Sequence, residues 1–190
     1  MNIQNLAGEQ IASQLLYERQ KALRSNHANL PGPTVVADGL QTPENVGGVL
    51  RLADAAGSVK VIFLHDGNPT AYPLHRIQRT ARNTAVFVAC EFWTQAKFLV
   101  ESHTLQPLLA LEITTASTNI FETVLPLRCT FVIGNERHGI ASSLLAQCQR
   151  AVHIPMVGVN GSMNVTHALA VALFEWRRQQ AIVNQSTARG

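Results

Sequence analysis

Residues 130–174 read TFVIGNERHGIASSLLAQCQRAVHIPMVGVNGSMNVTHALAVALF, and their pattern decides the fold class. Twice an apolar run short enough for a buried strand, TFVIG (130–134) and AVHIP (151–155), opens into a loop rich in Gly and Asn and then into a helical segment, 140–147 and 165–180. The second loop holds GVNGSMNVTHA (158–168), with two glycines, two asparagines and a serine where two turn residues would join the elements. Gly158 and Gly161 allow tight curvature. Ser162 and Asn164 place donors and acceptors at the start of a helix beginning near Val165, and His167 is expected to pack near Ala168 and Ala170. Such a loop is built to wrap something.

The same alternation runs upstream. Strand-like runs lie at 34–37 (TVVA), 59–64 (VKVIFL), 85–89 (AVFVA) and 108–113 (LLALEI), and helical segments at 44–56, 73–83, 94–102 and 120–124. Alternating strands and helices predict an α/β fold, a mainly parallel sheet covered by helices on both faces. A chain of 190 residues is large enough for one packed core, and a single domain spanning 1–190 is expected. Before the first strand, residues 5–25 pattern as an amphipathic helix, Leu6, Ile11, Leu15, Leu16 and Leu23 opposing Glu9, Glu18, Arg19, Lys21 and Arg24. Pro31, Gly32 and Pro33 end that N-terminal extension of about 30 residues, and the tail at 183–190 reads as flexible.

Composition narrows the function classes. Hydrophobic residues make up 46% and charged ones 14%, too apolar for disorder and sparse in charge for a monomer's surface, so a second copy of the chain is the expected partner. The net charge is +3, carried by twelve Arg against three Lys (Lys21, Lys60, Lys97). The planar guanidinium fork suits phosphate, which leans toward a nucleic acid or another phosphorylated ligand. Cys90, Cys129 and Cys148 are odd in number and widely separated in apolar surroundings, as reduced structural thiols would be. No Cys/His spacing matches a zinc site and no metal is expected. Glu9 and Glu18 interrupt what a signal peptide would need, and no stretch reaches membrane-spanning length, so a soluble cytoplasmic protein is expected.

In an open parallel sheet, ligands bind beyond the carboxyl ends of the strands, which directs attention to three loops. In DGLQTPENVGGVLRLADAAG (38–57), Thr42, Pro43 and Glu44 read as N-cap, N1 proline and first-turn acid. Asn45 and Arg51 then lie on one helix, about 120° apart around its axis, able to share its N-terminal rim if Arg51 extends back. Gly47 and Gly48 cost about 1 kcal/mol each relative to Ala, and close approach of another backbone is the usual reason; a surface Arg on a helix packed through glycines explains the same letters. In GNERHGI (134–140) two glycines flank Glu136, which can accept from donors at the start of the next helix; a plain turn with a capping Glu reads equally well, and His138 fits a solvated loop. Neither GxGxxG nor a Walker lysine is present, which argues against a nucleotide-dependent oxidoreductase or NTP site. Arg76, Arg79 and Arg82 recur at helical spacing, either as an exposed basic ridge or as a footprint for a phosphate backbone.

Taken in order, the three loops resemble the signature motifs of the SpoU (TrmH-like) branch of the SPOUT RNA methyltransferases. Asn45-x-Gly47-x-x-x-Arg51 looks like the first, Gly134-x-Glu136-x-x-Gly139 the second, and Ile154-Pro155-Met156 with Ser162-Met163-Asn164-Val165-Thr166 the third. Each is weak alone; jointly, in order over residues 34–176, they are specific. The resemblance implies a C-terminal trefoil knot, which chain topology alone would have rejected. It implies S-adenosylmethionine as cofactor, bound by Leu111, Gly134, Ile154, Ser162 and Met163 with Met156 nearby, and a homodimer with the active site at its interface. It further implies methyl transfer to a ribose 2′-hydroxyl of RNA, tRNA in preference to rRNA by analogy with compact members. Arg51 would be the proposed base, although a guanidinium is a poor one and could instead hold an RNA phosphate and stabilise an alkoxide. Asn45, Glu136, Ser162 and Asn164 would shape the site. Family members often carry Leu and Ser where this chain has Met163 and Thr166. With no RNA-binding domain expected ahead of the motifs, substrate choice would fall to the first helix, to Arg76, Arg79 and Arg82, and to Arg177 and Arg178. A catalytically silent RNA-binding knot is the competing class.

Overall fold

The structure, a computed structural model, describes residues 10–26, 31–65 and 88–187. Two compact units divide the chain, Met1–Leu30 and Pro31–Gly190. In the first, helix α1 (Ser13–Asn26) begins later than the apolar periodicity predicts, since residues 10–12 are not helical. Its side chains as far as Ala22 are exposed, Ile11, Leu15, Leu16 and Tyr17 among them.

The second unit is built on seven strands: β1 (Thr34–Asp38), β2 (Lys60–Leu64), β3 (Ala89–Trp93), β4 (Leu108–Leu111), β5 (Thr118–Asn119), β6 (Thr130–Ile133) and β7 (Arg150–His153). They lie in the order β3-β2-β1-β6-β4-β7-β5, and these strands all pair in parallel, in keeping with the mainly parallel sheet that the sequence predicts. Helices α2 (Pro43–Ala56), α3 (Gln95–Glu101), α4 (Ser142–Leu145) and α5 (Val165–Thr187) complete it. Because successive strand residues point to opposite faces, each strand feeds two cores. Val35, Ala37, Val61, Phe63, Phe131 and Ile133 pack on one face with Val49 and Ala53 of α2 and Leu169, Leu173 and Trp176 of α5. Val36, Ile62, Leu64 and Val132 face the other way, onto Phe98 of α3 and Leu144 of α4.

The two longest helices of this unit are locked together at both ends. A Cβ on Gly48 would lie 3.0 Å from Cγ2 of Thr166, so the glycine in α2 admits the first turn of α5. At the far end α2 stops at Gly57, left-handed at φ +70°, and the Arg177 guanidinium donates to the Ala56 carbonyl through Nε (3.0 Å) and Nη2. Arg177 also stacks on Trp176, whose Nε1 donates to the Pro126 carbonyl at 2.8 Å.

Several elements differ from the sequence expectation. The third strand lies at 89–93, where Glu91 interrupts the apolar pattern but pairs with Lys60 at 2.7 Å; residues 85–87 of the run expected at 85–89 lie outside the described residues. Residues 120–124 form a 3-10 turn (Ile120–Glu122), capped by Asn119, whose side chain accepts from Phe121 N. The segment at 140–147 keeps one helical turn, and α5 continues through Thr187, so residues 183–187 are helical; with no Gly or Pro to stop it, a formed helix propagates cheaply. The two-residue strand β5 is too short to leave a pattern. The helix expected at 73–83, with Arg76, Arg79 and Arg82, lies outside the described residues. No helix among the described residues is long and apolar enough to cross a membrane.

Candidate active site at the carboxyl edge of the sheet

All strands run the same way, so the loops leaving β1, β4, β6 and β7 emerge at one edge, and the order β1-β6-β4-β7 makes them neighbours. The loop at 134–141 folds back on itself. A Cβ on Gly134 would come within 2.2 Å of the Gly139 carbonyl carbon and 2.4 Å of Ile140 N, so the backbone crosses where only glycine fits. Asn135 and Gly139 exchange backbone hydrogen bonds of 2.9 and 3.0 Å, Gly139 is left-handed at φ +68°, and the Asn135 side chain accepts from Arg137 N at 2.8 Å.

This loop is clamped to the one leaving β1. Asn135 Nδ2 donates to the Gly39 carbonyl (2.6 Å), and the buried Asp38 carboxylate accepts from Ala141 N (2.9 Å) and Gln95 Nε2 (3.0 Å). Glu136 closes the clamp. Its oxygens accept from Gln41 N (3.1 Å), Thr42 N (3.2 Å), Thr42 Oγ1 (3.1 Å) and Asn45 Nδ2 (2.7 Å). The donors therefore come from the N-terminus of α2, earlier in the chain, and not from the helix that follows Glu136 as its sequence position implied. Thr42, expected to cap α2 with its hydroxyl, makes no side-chain cap and donates to Glu136 instead. Burial pushes the Glu136 carboxyl up, but the hydrogen bonds from Asn45, its own backbone N–H, Gln41 and Thr42 outweigh this and hold it below the usual carboxylate range.

The third loop joins the same chain of bonds. Asn164 caps α5, its Oδ1 accepting from Thr166 N (2.8 Å) and Oγ1 (2.6 Å), while its Nδ2 donates to Asn45 Oδ1 (3.2 Å). Donation thus runs in one direction, Thr166 to Asn164 to Asn45 to Glu136, and ends on the carboxylate. From Val157 to Asn164 the chain is open to solvent. Val157 and Val159 are fully exposed, and a Cβ on Gly158 or Gly161 would meet nothing within 4 Å. The chain bends at both glycines, as expected, although neither is left-handed.

Loops from β4, β6 and β7 enclose a cavity of about 570 Å³. Leu111, Gly134, Ile154, Met156, Ser162 and Met163, the residues assigned to a cofactor, all line it, as do Glu136 and Asn164. Asn45 is bonded to those last two from behind the wall. Arg51 is exposed on the third turn of α2 and is not among the lining residues. His138 and His167 are exposed and outside the lining; His167, at the open first turn of α5, is not packed as expected. Arg177 is bound inward to α2, and Arg178 pairs with Glu175 at 2.7 Å while its side chain stays more than half exposed.

Sequence reasoning missed four residues here: Asp38, Glu112, Asn135 and His153. Asp38 and Glu112 carried a signal, each being the lone acid at the carboxyl end of an apolar run. Asn135 was passed over inside its motif, and His153, bonded to Ser117 Oγ at 3.1 Å, looked like part of a strand. Among the described residues no cluster of His, Cys, Asp and Glu could hold a metal ion.

Comparison with known proteins finds one family. The profile of the SpoU rRNA Methylase family matches residues 32–174. A 23S rRNA (guanosine-2′-O-)-methyltransferase of Salmonella typhi is 28% identical over 160 residues, covering 77% of this chain and 60% of its own length. The chain thus spans about 60% of the length of the curated relatives it matches. A crystal structure of an RNA 2′-O ribose methyltransferase superposes with a TM-score of 0.69 at 28% identity, covering 80% of this chain and 58% of that one. The A. aeolicus TrmH/SpoU tRNA modifying enzyme shares the fold at a TM-score of 0.74 and 23% identity, covering 90% of this chain and 86% of that one.

Proposed function

Because the chain belongs to the SpoU rRNA Methylase family, we propose that it transfers a methyl group from S-adenosylmethionine to a ribose 2′-hydroxyl of RNA. The observation that carries this reading is the convergence of all three motif loops on one cavity, two walling it and the first tied in through Asn45. The cavity falls within the roughly 300–1,000 Å³ of small-molecule sites. Its lining fits the cofactor: Leu111, Ile133, Ile154, Met156 and Met163 give an apolar wall for a purine, and Arg137, His153 and Glu112 add polar groups of both signs. S-adenosylmethionine supplies an electrophilic methyl group when bound, so the protein's work is mainly alignment.

Asn45, Glu136 and Asn164 hold the three loops in register, with Ser162 at the cavity wall beside them. The Glu136 oxygens are taken by donors from residues 41–45, which suits a positioning role better than proton abstraction. Arg51 is the guanidinium assigned to RNA, holding a phosphate and stabilising charge on the attacking oxygen; Arg76, Arg79 and Arg82 are assigned to the RNA backbone. We infer further that the chain forms the family's trefoil knot through the 134–141 and 154–164 loops, and that it is a homodimer, supported by exposed Val157, Val159 and Phe174. The protein is expected to work in the cytoplasm, where its RNA is found.

The test is transfer of a labelled methyl group to unmodified RNA. The likeness to compact family members favours tRNA and the curated relatives' names favour rRNA, so both are offered. Labelled 2′-O-methyl nucleotides are expected from one of them, and Arg51→Ala is expected to abolish labelling with cofactor affinity retained. Salt-dependent RNA binding and cofactor binding without any labelling would instead identify a silent RNA-binding protein.

A further inference from the structure

The cavity contains two carboxylates, and they are not equivalent. Glu136 turns its oxygens onto residues 41–45 and has little acceptor capacity left. Asn135 and Asn164 are likewise committed, to Gly39 and Arg137 and to Asn45 and Thr166. Glu112, in the loop leaving β4, is different. Its Oε1 accepts from Ile113 N at 3.0 Å and its Oε2 from Ile140 N at 3.3 Å, one backbone donor for each oxygen. A carboxylate offers about four lone-pair sites, so about half remain. The group is also fixed in place: it bridges the loops from β4 and β6, and a Cβ on Gly139 would lie 2.5 Å from Oε2, so the left-handed glycine makes its room.

A fixed, half-satisfied carboxylate in the wall of a ligand cavity calls for donors from the ligand. S-adenosylmethionine offers its sulfonium, its ammonium and the vicinal ribose hydroxyls. Holding a carboxylate against the sulfonium would stabilise a charge that disappears in the transition state, which lowers the ground state and slows transfer. Vicinal hydroxyls carry no such penalty, and a carboxylate accepting from ribose hydroxyls is established nucleoside-binding chemistry in other folds. We propose that Glu112 is a specificity residue of the methyl-donor site, its carboxylate accepting hydrogen bonds from the donor's vicinal ribose hydroxyls. The assignment rests on the cofactor reading above.

The experiment is calorimetric and needs no turnover. Wild type and Glu112→Gln are titrated with S-adenosylmethionine, S-adenosylhomocysteine and the 2′,3′-dideoxy analogue of the latter. Glu112→Gln is expected to weaken the first two by the same factor, about 10- to 100-fold, and to leave the dideoxy analogue's affinity unchanged. Selective weakening of S-adenosylmethionine would place the carboxylate at the sulfonium and overturn the proposal. Equal weakening of all three would place Glu112 at the ammonium that all three share, or reduce it to a loop tether, and either overturns the proposal; no change in any would remove it from the site. Should the variant not fold, wild type alone decides: the dideoxy analogue must bind at least about tenfold more weakly than S-adenosylhomocysteine, and equal affinity overturns the proposal. If none of the three binds wild type, the cofactor reading itself fails and this assignment with it.

Discussion

Gly134→Ala is the substitution whose effect the structure fixes most directly. The added methyl carbon would lie 2.2 Å from the Gly139 carbonyl carbon and 2.4 Å from Ile140 N. Ordinary carbon contacts begin near 3.5 Å, so one backbone must retreat by about 1 Å. Neither is free to do so. The opposing segment is held by the Asn135–Gly139 pair at 2.9 and 3.0 Å, by Ile140 N on Glu112 and by Ala141 N on Asp38. Losing two to four such bonds at about 1 kcal/mol each gives a destabilisation of about 2–4 kcal/mol, or about 5–15 °C in Tm for a domain of this size. Thermal and urea unfolding measure it, with Gly158→Ala as control because its methyl would meet nothing within 4 Å and should cost less than about 0.5 kcal/mol. The same shift would move Glu136 off the α2 N-terminus, so cofactor affinity should fall with stability. A Gly134→Ala protein melting within about 2 °C of wild type, or no worse than the control, refutes the reasoning.

Glu136 makes stability depend on acid: with its folded pKa held below the unfolded value, its contribution is complete above about pH 5 and fades as pH falls below about 4. Glu136→Gln should flatten that part of the urea-stability curve against pH. Arg177→Met keeps an apolar stem but leaves the Ala56 carbonyl without its donor; a loss of about 1–3 kcal/mol in urea unfolding is expected, with RNA affinity unchanged. Burial pushes the Cys129 thiol up to about 12, so it should react with a disulfide reagent at neutral pH only as fast as the protein unfolds.

The alternation of apolar runs with helical segments was enough to determine a parallel α/β sheet, because strand and helix periods are local properties of side-chain order. TVVA, VKVIFL and TFVIG were legible for the same reason: strands buried on both faces must be apolar throughout. The motif residues were legible as types, Asn164 because a helix start needs an acceptor, whereas the backbone crossing that requires Gly134 appeared only in the structure. Partnership was decided only in three dimensions. Glu136 serves a helix that begins about ninety residues earlier, and it meets Asn45 only because β6 pairs beside β1. Asp38 and Glu112 became site residues when parallel pairing brought their strand ends to one edge, and Arg177 changed from a surface charge to the cap of α2 when α5 packed along it. Hydrogen bonds between loops form between whichever strand ends the sheet order makes adjacent, and that order is settled by packing both cores at once, which no local pattern records.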